Sequence, residues 1–429
     1  MRHSARGPDA SGSQERVALV GLFNSSSRYF DPEHSLDELA GLAEAAGATV
    51  VLRVLQERAR PDPATFLGSG KVASLAASCD ELGVDVVIFD NELSPAQLRN
   101  IEKAIERKVI DRTQLILDIF ARRAHTREGK LQVELAQLKY LMPRLVGSSA
   151  ALSRLGGGIG TRGPGETKLE TDRRRIRHRI SILSKEIDAV RRRRTQLRDR
   201  RHKTAVPVVA LVGYTNAGKT TLFNALTGDR AVVSNALFVT LDPLVRKVRL
   251  PDRRELLVSD TVGFIERLPH SLVAAFRATL EEVAAADLLL HVIDAASPEL
   301  QRHIDAVHGV LEEVGAGRVP TIEVFNKRDL LDADQRARIG AVHPAALAVS
   351  ARTGEGRDEL IAAMESRLAL DTVRVTLAFD SASGEDRERI AQLYRVGRIL
   401  RHVSTDGRIA IEAEVPRRVL DRYTAAERQ

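Results

Sequence analysis

Residues 208–228 read VVALVGYTNAGKTTLFNALTG, and this stretch decides the fold of the central part of the chain. Its first five residues are apolar and predict a buried strand, whereas the run after Thr220 has a helical pattern. The residues between them, Gly213 to Thr220, fit the spacing GxxxxGK[ST]. A strand, a glycine-rich loop and a helix in this order predict a loop whose backbone N–H groups surround phosphate oxygens.

Two side chains of this loop have predicted roles. Lys219 is expected to reach the β- and γ-phosphate oxygens, and Thr220 is expected to ligate Mg²⁺. Phosphate contacts are predicted along nine consecutive residues: Gly213, Tyr214, Thr215, Asn216, Ala217, Gly218, Lys219, Thr220 and Thr221.

A second apolar run, residues 255–259, leads into an aspartate, and the fourth residue from that aspartate is a glycine. An aspartate at a strand end can hold Mg²⁺ through water, and a glycine N–H at that distance can sense the γ-phosphate. The predicted nucleotide contacts therefore include Asp260, Thr261, Val262 and Gly263, with Asp260 also at the metal.

The predicted base site follows two further apolar runs, residues 321–325 and 346–349. The first ends in an NKxD motif, whose aspartate accepts hydrogen bonds from two nitrogens on the edge of guanine that adenine does not offer in that arrangement. The backbone after the second run can meet the guanine carbonyl. Predicted contacts here are Asn326, Lys327, Asp329, Ser350, Ala351 and Arg352.

Each motif falls at the carboxyl end of a predicted strand, as a nucleotide lying across a parallel sheet requires. Residues 204–370 are therefore predicted to form an α/β domain with a parallel-rich sheet and helices on both faces. Strand-like and helix-like runs also alternate over residues 17–112, which predicts an N-terminal α/β domain after a disordered tail, residues 1–16. Residues 68–71, GSGK, lack the phosphate-loop spacing, and we interpret them as a loop that enters a helix.

Residues 113–203 change to a helical period, and two apolar stripes predict an antiparallel helical hairpin. Residues 147–168 form an unusually long connection between the helices, and six of the ten residues 156–165 are glycine. Such a loop is either a floppy tip or a means of approaching a phosphate-rich surface closely. On the second interpretation, its RNA-contacting residues are Arg154, Arg162 and Lys168.

Positive charge is concentrated in the second helix of this hairpin. The whole chain carries a net charge of +7, but residues 171–203 alone contain 14 Lys and Arg against four acidic residues. The basicity thus belongs to one element, which predicts a local contact with a polyanion such as RNA. Its first predicted contacts are Arg173, Arg174 and Arg175.

The remaining sequence is less specific. Residues 371–429 read strand, helix, strand, turn and strand, which predicts a small α+β domain without a catalytic constellation. The single cysteine, Cys79, and the lack of a signal or an apolar span predict a cytoplasmic protein. The histidines show no metal-ligand spacing and are interpreted as structural or solvated: His270, His291, His303, His308 and His343.

The chain resembles the translational-type GTPases, and several of its motifs narrow the resemblance to the HflX family. The most specific is the glycine-rich segment GGIGTRGPGETKLETDRR, residues 157–174. Further matches are FLGSGKV at residues 66–72, DTVGFI at residues 260–265 and FxTLDP ending at Pro243. The resemblance covers nearly everything from Val17 to the end.

This resemblance implies hydrolysis of GTP to GDP and phosphate, coupled to the large ribosomal subunit and its RNA. Family members separate the subunits of stalled or idle ribosomes during stress. The resemblance also places Phe238, Val239 and Thr240 at the nucleotide, with Thr240 as the switch threonine that binds Mg²⁺. From the residues alone, Thr240 is one candidate among several neighbouring threonines.

The predicted catalytic residues are Lys219, Thr240, Gly263 and Asn216. Small GTPases often place a glutamine after DxxG to orient the attacking water, but here that residue is Phe264. We therefore expect slow hydrolysis alone and stimulation by ribosomes. Asn216 could hold K⁺ beside the β/γ bridge, where a cation would stabilise developing charge.

Two alternatives remain open from the sequence. The protein could be a GTP-regulated RNA-binding or ribosome-assembly factor without splitting activity. The apolar stripe of the basic helix could also be a dimer seam, although two stripes of similar length in one chain favour an intramolecular hairpin and a monomer.

Overall fold

The structure is a computed structural model. It describes residues 14–24, 31–145, 168–204, 206–231, 233, 237–238, 240–250, 255–266, 282–369, 372–405 and 407–416. Contacts divide the chain into two compact units, Met1–Lys185 with Ala236–Phe238, and Glu186–Asn235 with Val239–Gln429. Because this division falls within a helix, the domain limits drawn from the sequence remain predictions.

The N-terminal part is a four-stranded parallel sheet with crossover helices, as the strand and helix alternation predicts. The strand order is β2-β1-β3-β4. Its elements are β1 (Arg16–Phe23), α1 (Pro32–Ala45), β2 (Thr49–Glu57), α2 (Ser69–Glu81), β3 (Val86–Phe89), α3 (Pro95–Ile105) and β4 (Lys108–Asp111). Helix α2 begins directly after Gly68, so the GSGK segment is a loop entering a helix, as interpreted.

The described residues continue with the α-helices α4 (Arg112–Arg123), α5 (Arg127–Leu141) and α6 (Lys168–Thr204). On α6 the predicted apolar stripe is the inner face, because Leu183 and Ile187 are buried while Arg174 and Arg175 are exposed. Residues 146–167, including Arg154 and Arg162, lie outside the described residues, and Lys168 begins α6.

The nucleotide-site domain is a six-stranded sheet in the order β10-β9-β8-β5-β7-β6. Its elements are β5 (Val208–Val212), α7 (Lys219–Thr227), β6 (Leu244–Arg249), β7 (Glu255–Asp260), β8 (Leu288–Asp294), α8 (Leu300–Glu313), β9 (Thr321–Asn326), α9 (Ala333–Val342), β10 (Leu347–Ala348) and α10 (Arg357–Ala369). All strand pairs are parallel except β6 with β7. The predicted parallel-rich sheet is confirmed, and β6 is an additional antiparallel edge strand.

Helices cover both faces of this sheet. One face packs Phe223 of α7 and Met364 of α10 into a common core with the strands. The other face packs Ile304 of α8 with Ile293 and Phe325. The alternation of side chains along β8 and β9 therefore decides which helix each residue meets.

The C-terminal part is the predicted small α+β module. It contains β11 (Thr372–Asp380), α11 (Gly384–Val396), β12 (Arg398–Thr405) and β13 (Arg408–Pro416). The strands form an antiparallel sheet in the order β11-β13-β12, with Leu393 of α11 buried against it. Gly407 adopts φ +82° in the β12–β13 turn, which explains the glycine there. Among the described helices, none is both long and apolar enough to cross a membrane.

Candidate nucleotide site

The loop from Gly213 to Thr220 joins β5 to α7, and two of its glycines are sterically required. A Cβ on Gly213 would lie 2.2 Å from the Val292 carbonyl oxygen, and one on Gly218 would lie 2.2 Å from Asn326 Nδ2. Gly218 also adopts φ +90°. The loop is thus pressed against the ends of β8 and β9, where only glycine fits.

Lys219 lies buried beneath this loop. Its Nζ donates hydrogen bonds to the carbonyl oxygens of Tyr214, at 2.7 Å, and Gly213, at 3.0 Å. Burial lowers the pKa of Lys219 to about 8, although the nearby Asp260 carboxylate opposes this shift. The ammonium group is therefore short of compensating negative charge, which phosphate oxygens in the loop would supply.

The three predicted metal-site residues meet at one point. Asp260 Oδ2 accepts hydrogen bonds from the hydroxyls of Thr220, at 2.8 Å, and Thr240, at 3.1 Å. The two hydroxyl oxygens lie 2.9 Å apart. These side chains come from the start of α7, the segment before β6 and the end of β7, so the chain assembles them only on folding.

This cluster suits Mg²⁺ because all its donors are oxygens, the ligands that Mg²⁺ prefers. Asp260 is fully buried, and its Oδ1 has no hydrogen-bond partner within the described parts of the chain. Burial raises the pKa of Asp260, while Lys219 and the two threonine hydroxyls act in the opposite direction. An unpartnered buried carboxylate oxygen is costly unless a cation or bound water satisfies it.

The segment after Asp260 is bonded to the phosphate loop through its backbone. The Phe264 N–H donates to the Gly213 oxygen at 3.1 Å, and the Phe264 oxygen accepts from the Thr215 N–H at 2.7 Å. A Cβ on Gly263 would lie 3.0 Å from Lys219 Nζ, so this glycine stands beside the lysine head group. The Phe264 side chain is buried and, being apolar, offers no group that could orient water.

Contacts of Tyr214 that support the loop were not predicted from the sequence. The His303 ring, on α8, stacks on Tyr214 with ring centroids 3.9 Å apart. The Tyr214 hydroxyl accepts from the Glu266 N–H at 2.9 Å, and Glu266 pairs with Arg302. The interpretation of His303 as structural is consistent with this stack, but no local sequence pattern indicates its partner.

The buried side chain of Asn326 connects the phosphate loop to the segment after β10. Its Nδ2 donates to the Ala217 oxygen and its Oδ1 accepts from the Ala351 N–H, both at 2.9 Å. One buried amide side chain thereby connects the phosphate loop to the segment that follows β10.

At the base end, Asp329 is held in an ionised state. Ser350 Oγ donates to Asp329 Oδ1 at 2.6 Å, and Arg352 lies 2.5 Å from Oδ2. These partners lower the pKa of Asp329, with the Ser350 hydrogen bond making the largest contribution. Lys327 forms an ion pair with Asp294 at 2.7 Å. An ionised carboxylate at the end of β9 suits the two N–H donors of guanine.

The remaining residues predicted to contact the nucleotide have different surroundings. Thr261 Oγ1 donates to the Leu211 oxygen at 2.6 Å, whereas Asn216 is exposed with φ +59°. Phe238 is grouped with the first unit, where its ring packs edge-on against Phe120 at 4.8 Å, and Val239 lies outside the described residues. The contacts predicted for Thr221 and Val262, like all these residue roles, stay predictions.

Three family models match consecutive parts of the chain. A model described as GTP-binding GTPase N-terminal matches residues 33–121, and one described as GTP-binding GTPase Middle Region matches residues 123–201. A model described as 50S ribosome-binding GTPase matches residues 208–327. The last match includes the phosphate loop, the Asp260 motif and the first two residues of the NKxD motif.

Curated relatives align along nearly the full length. The chain is 46% identical over 409 residues to GTPase HflX of Caldanaerobacter subterraneus subsp. tengcongensis, covering 95% of this chain and 93% of the relative. It is 45% identical over 405 residues to GTPase HflX of Escherichia coli K12, covering 94% of each. A solved GTP-binding protein of Sulfolobus solfataricus in complex with GDP is 24% identical, with TM-score 0.44, covering 83% of this chain and 99% of that one.

The resemblance inferred from the glycine-rich segment is thus confirmed by relatives that share nearly half of all positions. The fold of the nucleotide domain agrees with the GTPase model that matches it. The chain belongs to the HflX family of GTPases and is a GTP hydrolase.

Proposed function

We propose that GTP controls the attachment of this protein to the large ribosomal subunit, and that hydrolysis is coupled to separating the subunits of stalled or idle ribosomes under stress. The observation that carries this proposal is the meeting of Thr220, Thr240 and Asp260. Thr240 and Asp260 belong to the two segments that, in GTPases, become ordered around the γ-phosphate and are released on hydrolysis.

The residues divide the work of hydrolysis. Lys219 binds the β- and γ-phosphate oxygens, and the Gly263 N–H stabilises the γ-phosphate. Thr220 and Thr240 would ligate Mg²⁺ directly and Asp260 through water, and the ion would neutralise phosphate charge. Since Phe264 cannot orient water, the protein alone hydrolyses GTP slowly.

Asn216 is the proposed K⁺ ligand. Equal rates of GTP hydrolysis in KCl and NaCl at matched ionic strength would contradict K⁺ binding there.

The RNA contact is assigned to the outer face of α6 and to the glycine-rich segment before it. The family model that matches residues 208–327 is described as 50S ribosome-binding, which supports the same partner. The arginines Arg174 and Arg175 are exposed on α6, and Arg173 is half-buried. Because the proposed partner is a ribosomal subunit, we propose that the protein acts in the cytoplasm, and that it acts as a monomer.

The test of this proposal is steady-state GTP hydrolysis in potassium buffer, with and without purified large ribosomal subunits, and with ATP as the control nucleotide. We expect a slow basal rate that the subunits raise many-fold, and no ATP hydrolysis. Intact GTP binding without stimulation would contradict the ribosomal coupling.

The splitting step is tested separately by sedimentation of intact ribosomes with the protein and a non-hydrolysable GTP analogue. Separated subunits support the proposal. Ribosomes that stay joined while the protein sediments with them would favour the alternative, a GTP-regulated ribosomal-RNA-binding or assembly factor.

The basic face is tested by replacing Arg173, Arg174 and Arg175 with Glu. Ribosome binding should weaken, and the slope of log affinity against log salt should fall by about 2 to 3 for three lost phosphate contacts. As a control, the same reversal at three exposed arginines on other helices should leave the slope unchanged: Arg338, Arg367 and Arg395. An unaltered slope in the first variant would show that this part of α6 is only a solvated face.

A further inference from the structure

Three potential metal ligands converge on the face of the nucleotide domain covered by α8. Ligand atoms of His291, His308 and Glu323 all lie within 4.8 Å of one another. The sequence interpretation of these histidines as structural or solvated did not anticipate this, because the residues come from three separate elements. The cluster is separate from the oxygen-only group around Asp260.

The topology explains why they meet. His291 on β8 and Glu323 on β9 are directly paired in the parallel ladder, so their side chains point to the same face of the sheet. That face is covered by α8, whose Ile304 packs with Ile293 and Phe325. His308 lies four residues after Ile304, on the same side of the helix, and its ring centroid is 5.3 Å from that of His291.

His291 offers the cluster a buried ring nitrogen. Its side chain is 1% exposed, and Nδ1 has no hydrogen-bond partner within the described chain. Burial lowers the pKa of His291 to about 3, with His308 and Lys219 adding to the effect. A buried ring nitrogen without a hydrogen-bond partner is costly unless a ligand or a water satisfies it.

A further histidine, His343, contacts Glu323 of the cluster. Glu323 Oε2 lies 3.3 Å from His343 Nδ1, and His343 follows α9 at its C-terminal end. Such an imidazole beside a ligating carboxylate orients it, or serves as a fourth ligand. His308 is exposed, which gives an ion a route from solvent to the buried His291.

We propose that His291, His308 and Glu323 bind one divalent transition-metal ion, with Zn²⁺ as the best match and His343 positioning Glu323. Two imidazoles and one carboxylate are a common Zn²⁺ ligand set, whereas Mg²⁺ and Ca²⁺ prefer oxygen ligands alone. Tetrahedral ligands around Zn²⁺ stand about 3.4 Å apart, and the ligand atoms of this cluster lie within 4.8 Å of one another before any ion is bound. The ion fastens α8, which carries His303 against the phosphate loop, to β8 and β9.

The experiment uses the full-length chain, stripped of metal and nucleotide, and titrates it with Co²⁺ as a spectroscopic probe. We expect one Co²⁺ per chain with the intense visible bands of a four-coordinate site, and displacement of Co²⁺ by Zn²⁺. His308→Ala and Glu323→Gln should each weaken Co²⁺ binding by at least about tenfold. His178→Ala, which removes an exposed histidine from α6, is the matched control and should bind as the unaltered protein does.

Absence of the bands, or equal Co²⁺ affinity in His308→Ala and the unaltered protein, would overturn the proposal. Because His308 is exposed, its variant should fold even if Glu323→Gln does not, and circular dichroism verifies this. In thermal unfolding, Zn²⁺ should raise the Tm of the unaltered protein and of His178→Ala, but not of His308→Ala. An equal rise in all three would place the ion elsewhere and also contradict the proposal.

Discussion

The N-terminal sheet and the nucleotide sheet both end parallel strands in buried aspartates, but they treat these carboxylates differently. In the N-terminal sheet, Asp90 follows β3 and accepts from Arg112 at 2.8 Å and from Ser35 at 2.7 Å. In the nucleotide sheet, Asp260 ends β7 and keeps one buried oxygen without a partner among the described residues. The same topological position holds a carboxylate paired with the chain's own arginine in one sheet, and in the other the carboxylate that we propose to bind Mg²⁺ through water.

A second strand-end aspartate of the N-terminal sheet is also paired with an arginine of the chain. Asp111, at the end of β4, accepts from the Tyr140 hydroxyl at 2.8 Å and pairs with Arg144 at 3.2 Å. Burial, together with the Asp111 carboxylate, raises the pKa of Tyr140 above its ordinary value. In this sheet the strand-end acids thus stabilise the fold, so substitutions there and at the nucleotide should have opposite consequences.

The largest expected effect is on stability. Asp90→Ala removes one carboxylate partner of the buried Arg112, and breaking a buried ion pair costs about 3–5 kcal/mol of unfolding free energy. Urea unfolding followed by circular dichroism measures this. Asp80→Ala is the control, because it breaks the exposed Asp80–Arg107 pair and should cost less than about 1 kcal/mol. Lost GTP hydrolysis at unchanged stability would reverse the assignment of Asp90.

The opposite pattern is expected at the nucleotide. Asp260→Asn should lower the rate of GTP hydrolysis by about 100- to 1,000-fold, because it weakens the proposed Mg²⁺ site that would stabilise transition-state charge. Stability without nucleotide should not fall, since the amide removes a buried charge. Asp334→Asn, at an exposed acid on α9, should change neither quantity. A marked loss of stability in Asp260→Asn would show that this carboxylate, too, is structural.

Asp329 lies between these two cases, because it is partnered by Ser350 and Arg352 yet has a side chain that is 13% exposed. Asp329→Asn should weaken GTP binding by about 10- to 100-fold, the loss expected for hydrogen bonds to a charged group. It should also shift preference toward xanthosine nucleotides, whose base edge presents an acceptor. Competition binding with GTP and its xanthine analogue measures both, and unchanged guanine preference would contradict the role of Asp329.

The smallest effect is a pH dependence. The pKa of Lys219 is about 8, below its ordinary value of 10.5, so in the nucleotide-free protein this group adds stability as pH rises from 8 to 10.5. Phosphates bind the ammonium form, so nucleotide affinity should fall through pH 8, by about tenfold at pH 9. Calorimetric titration with GDP measures this. The Lys219→Arg variant keeps its charge and should give a flatter profile; identical profiles would contradict the low pKa.

The sequence predicts the nucleotide domain well because its chemistry is local. The phosphate loop and the Asp260 and Asp329 motifs each follow directly after an apolar run. Because these runs become parallel strands of one sheet, the motifs come together at its carboxyl edge. Strand β6 was not predicted, because its sequence LVRKVR lies at an edge of the sheet and half of its six residues are charged. The His291 cluster could not be read from spacing, since its members join only through the pairing of β8 with β9 and the packing of α8.

The brace formed by Asn326 has a consequence for how the two halves of GTP are recognised. One amide bonds both to the phosphate loop and to the segment beside the base, so ordering either loop also restricts the other. A bound guanosine has then already met part of the entropic cost of ordering the phosphate loop. The binding free energies of guanosine and of diphosphate, measured apart, should therefore not sum to that of GDP, and Asn326→Ala should reduce the part of the difference that this side chain carries.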